Sequence, residues 1–469
     1  MTKRLPSQLL AALGLLLAAA LYLAHSGFDF VPGTRPASAF CDTDIGAAME
    51  RQGHAEELLW RGCLIASETA HYLTRFVAPR TTLTATPRRA QVPACLDCHD
   101  DKAAPGFATM WTRFPRYDPK TGQVEDFAQA IQREIERRYD GTRPNRADNA
   151  ITALYFYAAR KAAQSQLLFS VDDAAGYELS GSEATAPAQT QDCRAVFEEL
   201  GWPRGPNAAG VVQGCNLVSD TGHHLKGPLA RQWRTDLSCQ SCHLAVGNRA
   251  NAGSLAHAAV TFPAMHTASK QPIRFDRRVL QCFSKSMNTF DLGLDAQEIG
   301  LITLYANWLA QKQRLPIGRL PAGRGMPTLE DALGSGSSFL AGEKVYERYC
   351  RACHGRNGYG GAGPVFNGRE PPPIAGPHSF NAAASLAEAN RFAGFVYANM
   401  PYGATLKQPV LTPQQALDVA SYLTALGRPA DFTRVNQFGV LLNHLWLKAI
   451  AQANAWLSNG ATSATGARE

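Results

Sequence analysis

Three pentapeptides of the form Cys-x-x-Cys-His punctuate the chain: CLDCH at 95–99, CQSCH at 239–243 and CRACH at 350–354. Each fixes both a chemistry and a local geometry. Two thiols one helical turn apart can add to the two vinyl groups of one haem, and the histidine that follows then turns its imidazole to the iron. A redox dithiol does not need a histidine at that offset, and a zinc site needs a second pair of ligands nearby. The three motifs therefore predict three covalently bound haem c groups. Their attachment residues are Cys95, Cys98, Cys239, Cys242, Cys350 and Cys353, and His99, His243 and His354 are the expected iron ligands.

A chain built around porphyrins needs helices that pack on them. Residues 126–140, 295–311, 385–400 and 412–427 carry apolar residues at helical spacing, and no long strand-like alternation interrupts them. The expected fold is mainly α, with three cytochrome-c-like haem domains in tandem. At 469 residues, 45% apolar and 18% charged, the chain has the composition of a folded protein of several domains. Its net charge of +7 is scattered rather than clustered, which excludes a nucleic-acid footprint and suits an acidic partner surface.

The first forty residues bear on the compartment. Lys3 and Arg4 precede an apolar run from Leu9 to Ala24, the pattern of a signal peptide or a short membrane anchor. A small-residue site, ASA at 37–39, lies well beyond the run, which tips the reading toward an uncleaved anchor. Both readings export the chain. The expected location is the periplasm, on the inner membrane, where disulfides persist.

The region around the first two motifs is internally repeated. Cys41 and Cys63 are 22 residues apart, as are Cys193 and Cys215, and GCLIASETAHYL (62–73) aligns with GCNLVSDTGHHL (214–225). Each copy then runs through its haem motif, a Phe-Pro pair (114–115, 262–263), a basic helix and a helix carrying Leu-Tyr (154–155, 304–305). The duplicated spacing predicts disulfides Cys41–Cys63 and Cys193–Cys215; the alternative is four free thiols. Small, polar and Pro/Gly-rich stretches set the boundaries. They give a signal or anchor at 1–40, haem domains at 41–165, 193–313 and 339–430, linkers at 166–192 and 314–338, and a final segment at 431–469. Within that segment, 437–457 reads as an amphipathic helix, either packed or lying on a membrane, followed by a polar tail.

Two residues present themselves as sixth ligands. Met400 sits in YANMPYG, where Pro401 and Gly403 mark a loop, the usual setting of a haem-ligating methionine; the alternative is a core methionine. Cys282, in RRVLQCFSKSMN (277–288), is the cysteine left over once haem and disulfide cysteines are counted. Arg277, Arg278 and Lys285 surround it and favour a thiolate, a strong donor to iron; the alternative is an inert buried thiol.

At this point the sequence resembles a known family. LSCQSCHL (237–244), RRVLQCFSKSMN, LYANWLA, CRACHGRNGYGG (350–361), PPPIAGPHSFN (371–381), ANMPYGA (398–404) and LDVASYLTALGRP (417–429) follow the order and spacing of the dihaem thiosulfate dehydrogenases. These are relatives of the cytochrome A subunit of the Sox sulfur-oxidation system. The resemblance implies coupling of two thiosulfates to tetrathionate, or the reverse, at a His/Cys-ligated haem. In the family the cysteine is thought to leave the iron or to bond substrate sulfur. The resemblance makes Cys282 the axial and catalytic cysteine, sets Arg278 and Ser286 beside it on the family pattern R-x-x-x-C-x-x-x-S, and makes Met400 the ligand of an electron-transfer haem. A sulfur oxyanion is the implied substrate, and a cytochrome or a membrane complex the implied redox partner.

The chain departs from the family at three places: Ala268 stands where an arginine is common, with Lys270 as a partial substitute, Thr289 where a glycine is usual, and Asn399 where some members have a lysine. These departures open the alternative of a non-catalytic electron-transfer subunit of a membrane redox complex. The first haem domain is an addition that most of the family lacks. Glu134 or a neighbour stands where the second copy has Cys282, so that place offers no thiolate, and His71, His54 and Met110 are the candidates for its sixth ligand.

Overall fold

The computed structural model describes Cys41 and residues 54–73, 94–99, 106–139, 143–146, 148–172, 190–225, 237–265, 272–289, 292–321, 324–329, 336–361, 363–365 and 369–430. The N-terminal apolar run, Ala268, Lys270 and the 437–457 segment lie outside the described residues. Among the described residues, no helix is long and apolar enough to cross a membrane. The fold is mainly helical, in two compact units.

The first unit holds α1 (His54–Ser67), α2 (Thr69–Tyr72), α3 (Cys95–His99), α4 (Phe107–Trp111), α5 (Phe127–Tyr139) and α6 (Asn149–Gln164). Helix α5 starts one residue later than its apolar pattern suggests. Asp126 and Gln129 exchange side-chain-to-backbone hydrogen bonds of 2.7 and 2.8 Å there, which stops the helix from extending backward. Asp148 caps α6 by accepting from the Ala150 amide at 2.8 Å. The core of this unit forms where α1 crosses α6. Gly62 makes the crossing close: a Cβ there would lie 2.7 Å from Tyr157 Cβ.

The second unit is larger. It holds α7 (Gln191–Leu200), α8 (Ala208–Ser219), α9 (Thr221–His224), 3-10 turns at Cys239–Ser241 and Ala245–Gly247, α10 (Leu255–Thr261), α11 (Phe275–Ser286) and α12 (Gln297–Lys312). It continues through α13 (Phe339–Tyr349), α14 (Arg351–His354), α15 (Ala389–Asn399) and α16 (Pro413–Ala425). Thr412 and Gln415 form a capping box with Pro413 in the first turn, so α16 opens where the sequence places a start signal. Helix α15 is shorter than the apolar run that announces it, because Ser385–Ala387 is a separate 3-10 turn.

The close crossing recurs twice in this unit. A Cβ on Gly214 would lie 2.8 Å from Tyr305 Cβ, where α8 meets α12, and one on Gly342 would lie 2.9 Å from Tyr422 Cβ, where α13 meets α16. Only a residue without a side chain lets those backbones approach so closely. Both expected disulfides form, Cys41–Cys63 in the first unit and Cys193–Cys215 in the second. Each closes a loop of about 22 residues and contributes about 3 kcal/mol through lost unfolded-state entropy.

A short hairpin, strands β1 (Arg116–Asp118) and β2 (Gln123–Glu125), packs within the second unit although the first unit flanks it in sequence. The Tyr117 amide donates to Asn207 Oδ1 at 2.8 Å, Gln213 Nε2 donates to the Tyr117 hydroxyl at 3.0 Å, and the Val124 amide donates to Gln297 Oε1 at 2.6 Å. Part of the stretch after α6 is also built in. Phe169 and Val171 are buried, and Gln311 Oε1 accepts from the Val171 amide at 2.7 Å.

Candidate haem and active site

Each of the first two Cys-x-x-Cys-His segments is pegged by a threonine. Thr221 donates its hydroxyl to Leu217 O at 2.8 Å and accepts from the Cys239 amide at 3.0 Å. Thr69 does the same with Ile65 O at 2.8 Å and the Cys95 amide at 2.9 Å. The peg ties the first haem cysteine to the end of the helix that the disulfide braces. The two threonines align in the sequence repeat, so the signal was present there without a role attached to it.

The histidines are aimed by backbone carbonyls. His354 Nδ1 donates to Pro372 O at 2.9 Å, and His243 Nδ1 donates to Gly253 O. A proton fixed on Nδ1 leaves Nε2 as the coordinating atom. Burial outweighs the Pro372 carbonyl and holds His354 below the ordinary histidine range. Neither acceptor could be named from the motif alone, because the chain brings Pro372 back to His354 through a loop.

Cys282 lies on α11, with Arg278 one turn before it and Ser286 one turn after it on the same face. The His243 imidazole lies near enough to its sulfur to favour the thiolate, so the lone cysteine meets the histidine of the second motif. It also neighbours Cys239 and Cys242. Burial, reinforced by Cys282, pushes the Cys242 thiol up to about 12. Cys282 moves the other way. Burial raises it, but Arg278, His243 and Lys285 together outweigh burial and leave it below the ordinary thiol value. A cysteine whose thiolate is favoured, a histidine and a Cys-x-x-Cys pair together are donors of the kind that suit a haem.

Arg278 is held as well as charged. Its guanidinium donates to Ser385 Oγ at 2.8 Å and to Gln281 Oε1 at 3.4 Å. Asn381 clamps the end of the same helix: its amide donates to Lys285 O at 3.1 Å and its side chain to Ser284 O at 2.9 Å. The PHSFN segment of the family pattern thus positions α11. Ser286 is half-buried.

Around His354 lies a cavity of about 750 Å³, lined by Cys350, Cys353, Met400, Phe392, Phe395 and Leu423. A mostly apolar wall, two attachment thiols, an oriented imidazole and a thioether suit a haem, so the residues present fit the group. Ser238, Gln240 and Ser241 of the second attachment segment line the same cavity. Arg369 joins the two regions, bonding Asp192 at 3.3 Å and Ser219 Oγ at 3.0 Å, while Gln240 Nε2 donates to the same Asp192 carboxylate at 2.8 Å.

Asn399 and Thr289 have structural positions. Asn399 is fully buried and its side chain donates to Asn251 O at 3.0 Å and Phe395 O at 2.9 Å. Thr289, also buried, turns the chain after α11 through its amide on Phe283 O at 3.0 Å. Neither is placed to bind an anion. In the first unit, the His99 ring meets Phe107 edge-on at 6.5 Å, and His71 is exposed against Tyr72. The His54 side chain lies outside what is described, though its backbone opens α1.

The cytochrome c family model matches residues 339–427. Thiosulfate dehydrogenase of Thiomonas intermedia (strain K12) is 37% identical over 222 residues, which cover 47% of this chain and 67% of that protein. Thiosulfate dehydrogenase of Allochromatium vinosum is 32% identical over 232 residues, 48% of this chain and 81% of that one. The chain belongs to the thiosulfate dehydrogenase family. A solved thiosulfate dehydrogenase from Marichromatium purpuratum, in its as-isolated form, is 24% identical and overlaps 76% of this chain and 70% of its own at a TM-score of 0.44. Family membership makes this chain a haem c protein with enzymes as relatives. About half of it lies outside the curated matches.

Proposed function

We propose that this chain is an exported three-haem cytochrome c that joins two thiosulfate ions into tetrathionate at the haem held by His243 and Cys282. His354 and Met400 would hold a second haem, which would take the released electrons one at a time. The observation that carries the reading is the Cys282 thiol facing His243 with Arg278 and Lys285 charging its surroundings. Three haem units rest on the three glycine–tyrosine helix crossings, one beside each motif.

Two dianions lose one electron each as a sulfur–sulfur bond forms, so the balance is two thiosulfates to one tetrathionate and two electrons. Haem c supplies an iron that accepts electrons one at a time. The residues of the chain do the rest. Arg278 and Lys285 lower the cost of bringing two negative ions to one thiolate, and the Ser385 bond keeps Arg278 in place. Cys282 offers a thiolate able to exchange with sulfur. Ser286 extends the polar face of α11. His243 is held in the coordinating tautomer by Gly253. The second attachment segment lines the cavity around His354, a short route for electrons leaving Cys282. An acceptor cytochrome or membrane complex takes them onward in the periplasm, with residues 1–40 as the anchor.

Ala268, in place of the family arginine, favours a second reading in which Cys282 only sets the potential of an electron-transfer haem. Spectroscopy separates the two. The holoprotein should show a low-spin thiolate EPR signal, lost in Cys282→Ala, and haem reduction on adding thiosulfate or oxidation on adding tetrathionate, lost in the same variant. If neither anion alters the visible spectrum of the wild type, catalysis fails and the electron-transfer reading takes its place.

A further inference from the structure

The first unit contains a counterpart of Cys282, and it is an acid. Helices α5 and α11 register on two buried positions. Phe127 and Phe275 open them, 3% and 4% exposed, and Ile135 and Phe283 follow two turns on, 2% and 1% exposed. Both phenylalanines pack on the phenylalanine of the Phe-Pro pair, Phe114–Phe127 at 5.6 Å and Phe262–Phe275 at 5.9 Å. In this register Glu134 falls where Cys282 falls, seven residues after the opening phenylalanine.

The first unit brings α5 into the neighbourhood of His99 through a second phenylalanine. Phe127 stacks edge-on against Phe107 at 5.9 Å, and Phe107 meets the His99 ring at 6.5 Å. Seven residues are nearly two full helical turns, so half-buried Glu134 shares the face of α5 that carries Phe127.

We propose that the Glu134 carboxylate is the sixth-position group of the His99 haem, so that the repeat presents a hard oxygen donor where its twin presents a soft sulfur. A carboxylate is a weaker-field, harder ligand than a thiolate. It favours ferric iron, leaves that iron high-spin and exchanges readily for stronger ligands. The first haem is then spectroscopically and chemically unlike the other two. This inference rests on the three-haem reading above.

The test uses the full-length holoprotein with Cys282 intact, so that the His243 haem stays low-spin and a high-spin signal belongs to the first haem. Haem content by pyridine haemochrome comes first: two haems per chain instead of three would overturn the three-haem reading itself. With three haems attached, ferric EPR should show a high-spin signal from the first haem. Glu134→Cys should replace that signal with a low-spin thiolate signal, and Glu134→Met should replace it with a low-spin methionine signature. Unchanged haem content and an unchanged His354 haem spectrum show that the variants fold. A high-spin signal that survives both substitutions unaltered overturns the assignment of Glu134, as does a wild-type first haem that is wholly low-spin.

Discussion

Replacing Gly214 by alanine tests the helix crossing on which the second haem unit is built. An added Cβ would sit 2.8 Å from Tyr305 Cβ and closer still to Leu301 O, whereas carbon atoms in contact rest at about 3.5–4.0 Å. Helices α8 and α12 must therefore part by about 1 Å, and the obstacles are backbone and Cβ atoms that cannot swing away. Overpacking of this kind costs about 1–3 kcal/mol, and the upper end applies when backbone must move. Alanine regains about 1 kcal/mol of helix propensity over glycine. The collision wins, with a net loss of about 2 kcal/mol. At about 2–4 °C per kcal/mol for a unit of this size, the melting midpoint should fall by about 4–8 °C. The assay is thermal unfolding of the holoprotein, followed by far-ultraviolet circular dichroism and by the Soret band. A Gly214→Ala protein that melts at or above the wild type refutes the reasoning, because propensity would then outweigh a collision that does not exist. Gly62→Ala and Gly342→Ala should behave alike, each in its own unit.

Two further outcomes follow from buried polar groups. His257 is buried with no hydrogen-bond partner on either ring nitrogen among the described residues, and burial, reinforced by Arg324, lowers its pKa to about 4. The unfolded chain takes up that proton near pH 6.5 and the folded one only near 4, so the folded state loses up to about 3 kcal/mol as the pH falls across that window. His257→Leu should flatten the acid limb of a stability-versus-pH curve between those values; an unchanged limb would show that His257 does not titrate as stated. Asn399→Lys, which restores a residue some relatives carry, should destabilise the holoprotein by more than about 2 kcal/mol in a denaturant titration. It buries an ammonium where an amide bonds Asn251 O and Phe395 O, and a neutral result would mean that the site opens to water.

The parts of this protein written in local spacing were legible before any coordinates. The attachment motifs depend on residues within one helical turn, and the disulfides declared themselves because the spacing of Cys41 and Cys63 recurs at Cys193 and Cys215. Helices α5 and α15 show in their apolar periodicity, blurred at the ends where caps such as Asp126–Gln129 take over. What escaped was long-range. The Pro372 and Gly253 carbonyls reach their histidines through loops, Arg278 finds Ser385 more than a hundred residues away, and Arg369 crosses to Asp192. Thr69 and Thr221 stood aligned in the repeat, but a conserved-looking hydroxyl has no stated partner until the fold supplies one. Asn399 read as a missing cation and is a buried strut instead, because a one-letter comparison does not report burial.

The sequence by itself determined which cysteines stand in Cys-x-x-Cys-His motifs, which pair with each other, and which one remains. Covalent attachment and disulfide pairing depend on residue type and spacing, and both survive any later rearrangement of the chain. Only the tertiary structure decided what the remaining thiol faces. The α11 face brings Cys282 to His243 and Arg278 beside it, and Asn381 pins the helix from a distant loop. The charge at that sulfur comes from Arg278 and Lys285 on its own helix, but the histidine it meets and the groups that hold the helix are far apart in the chain, and only the packing brings them together.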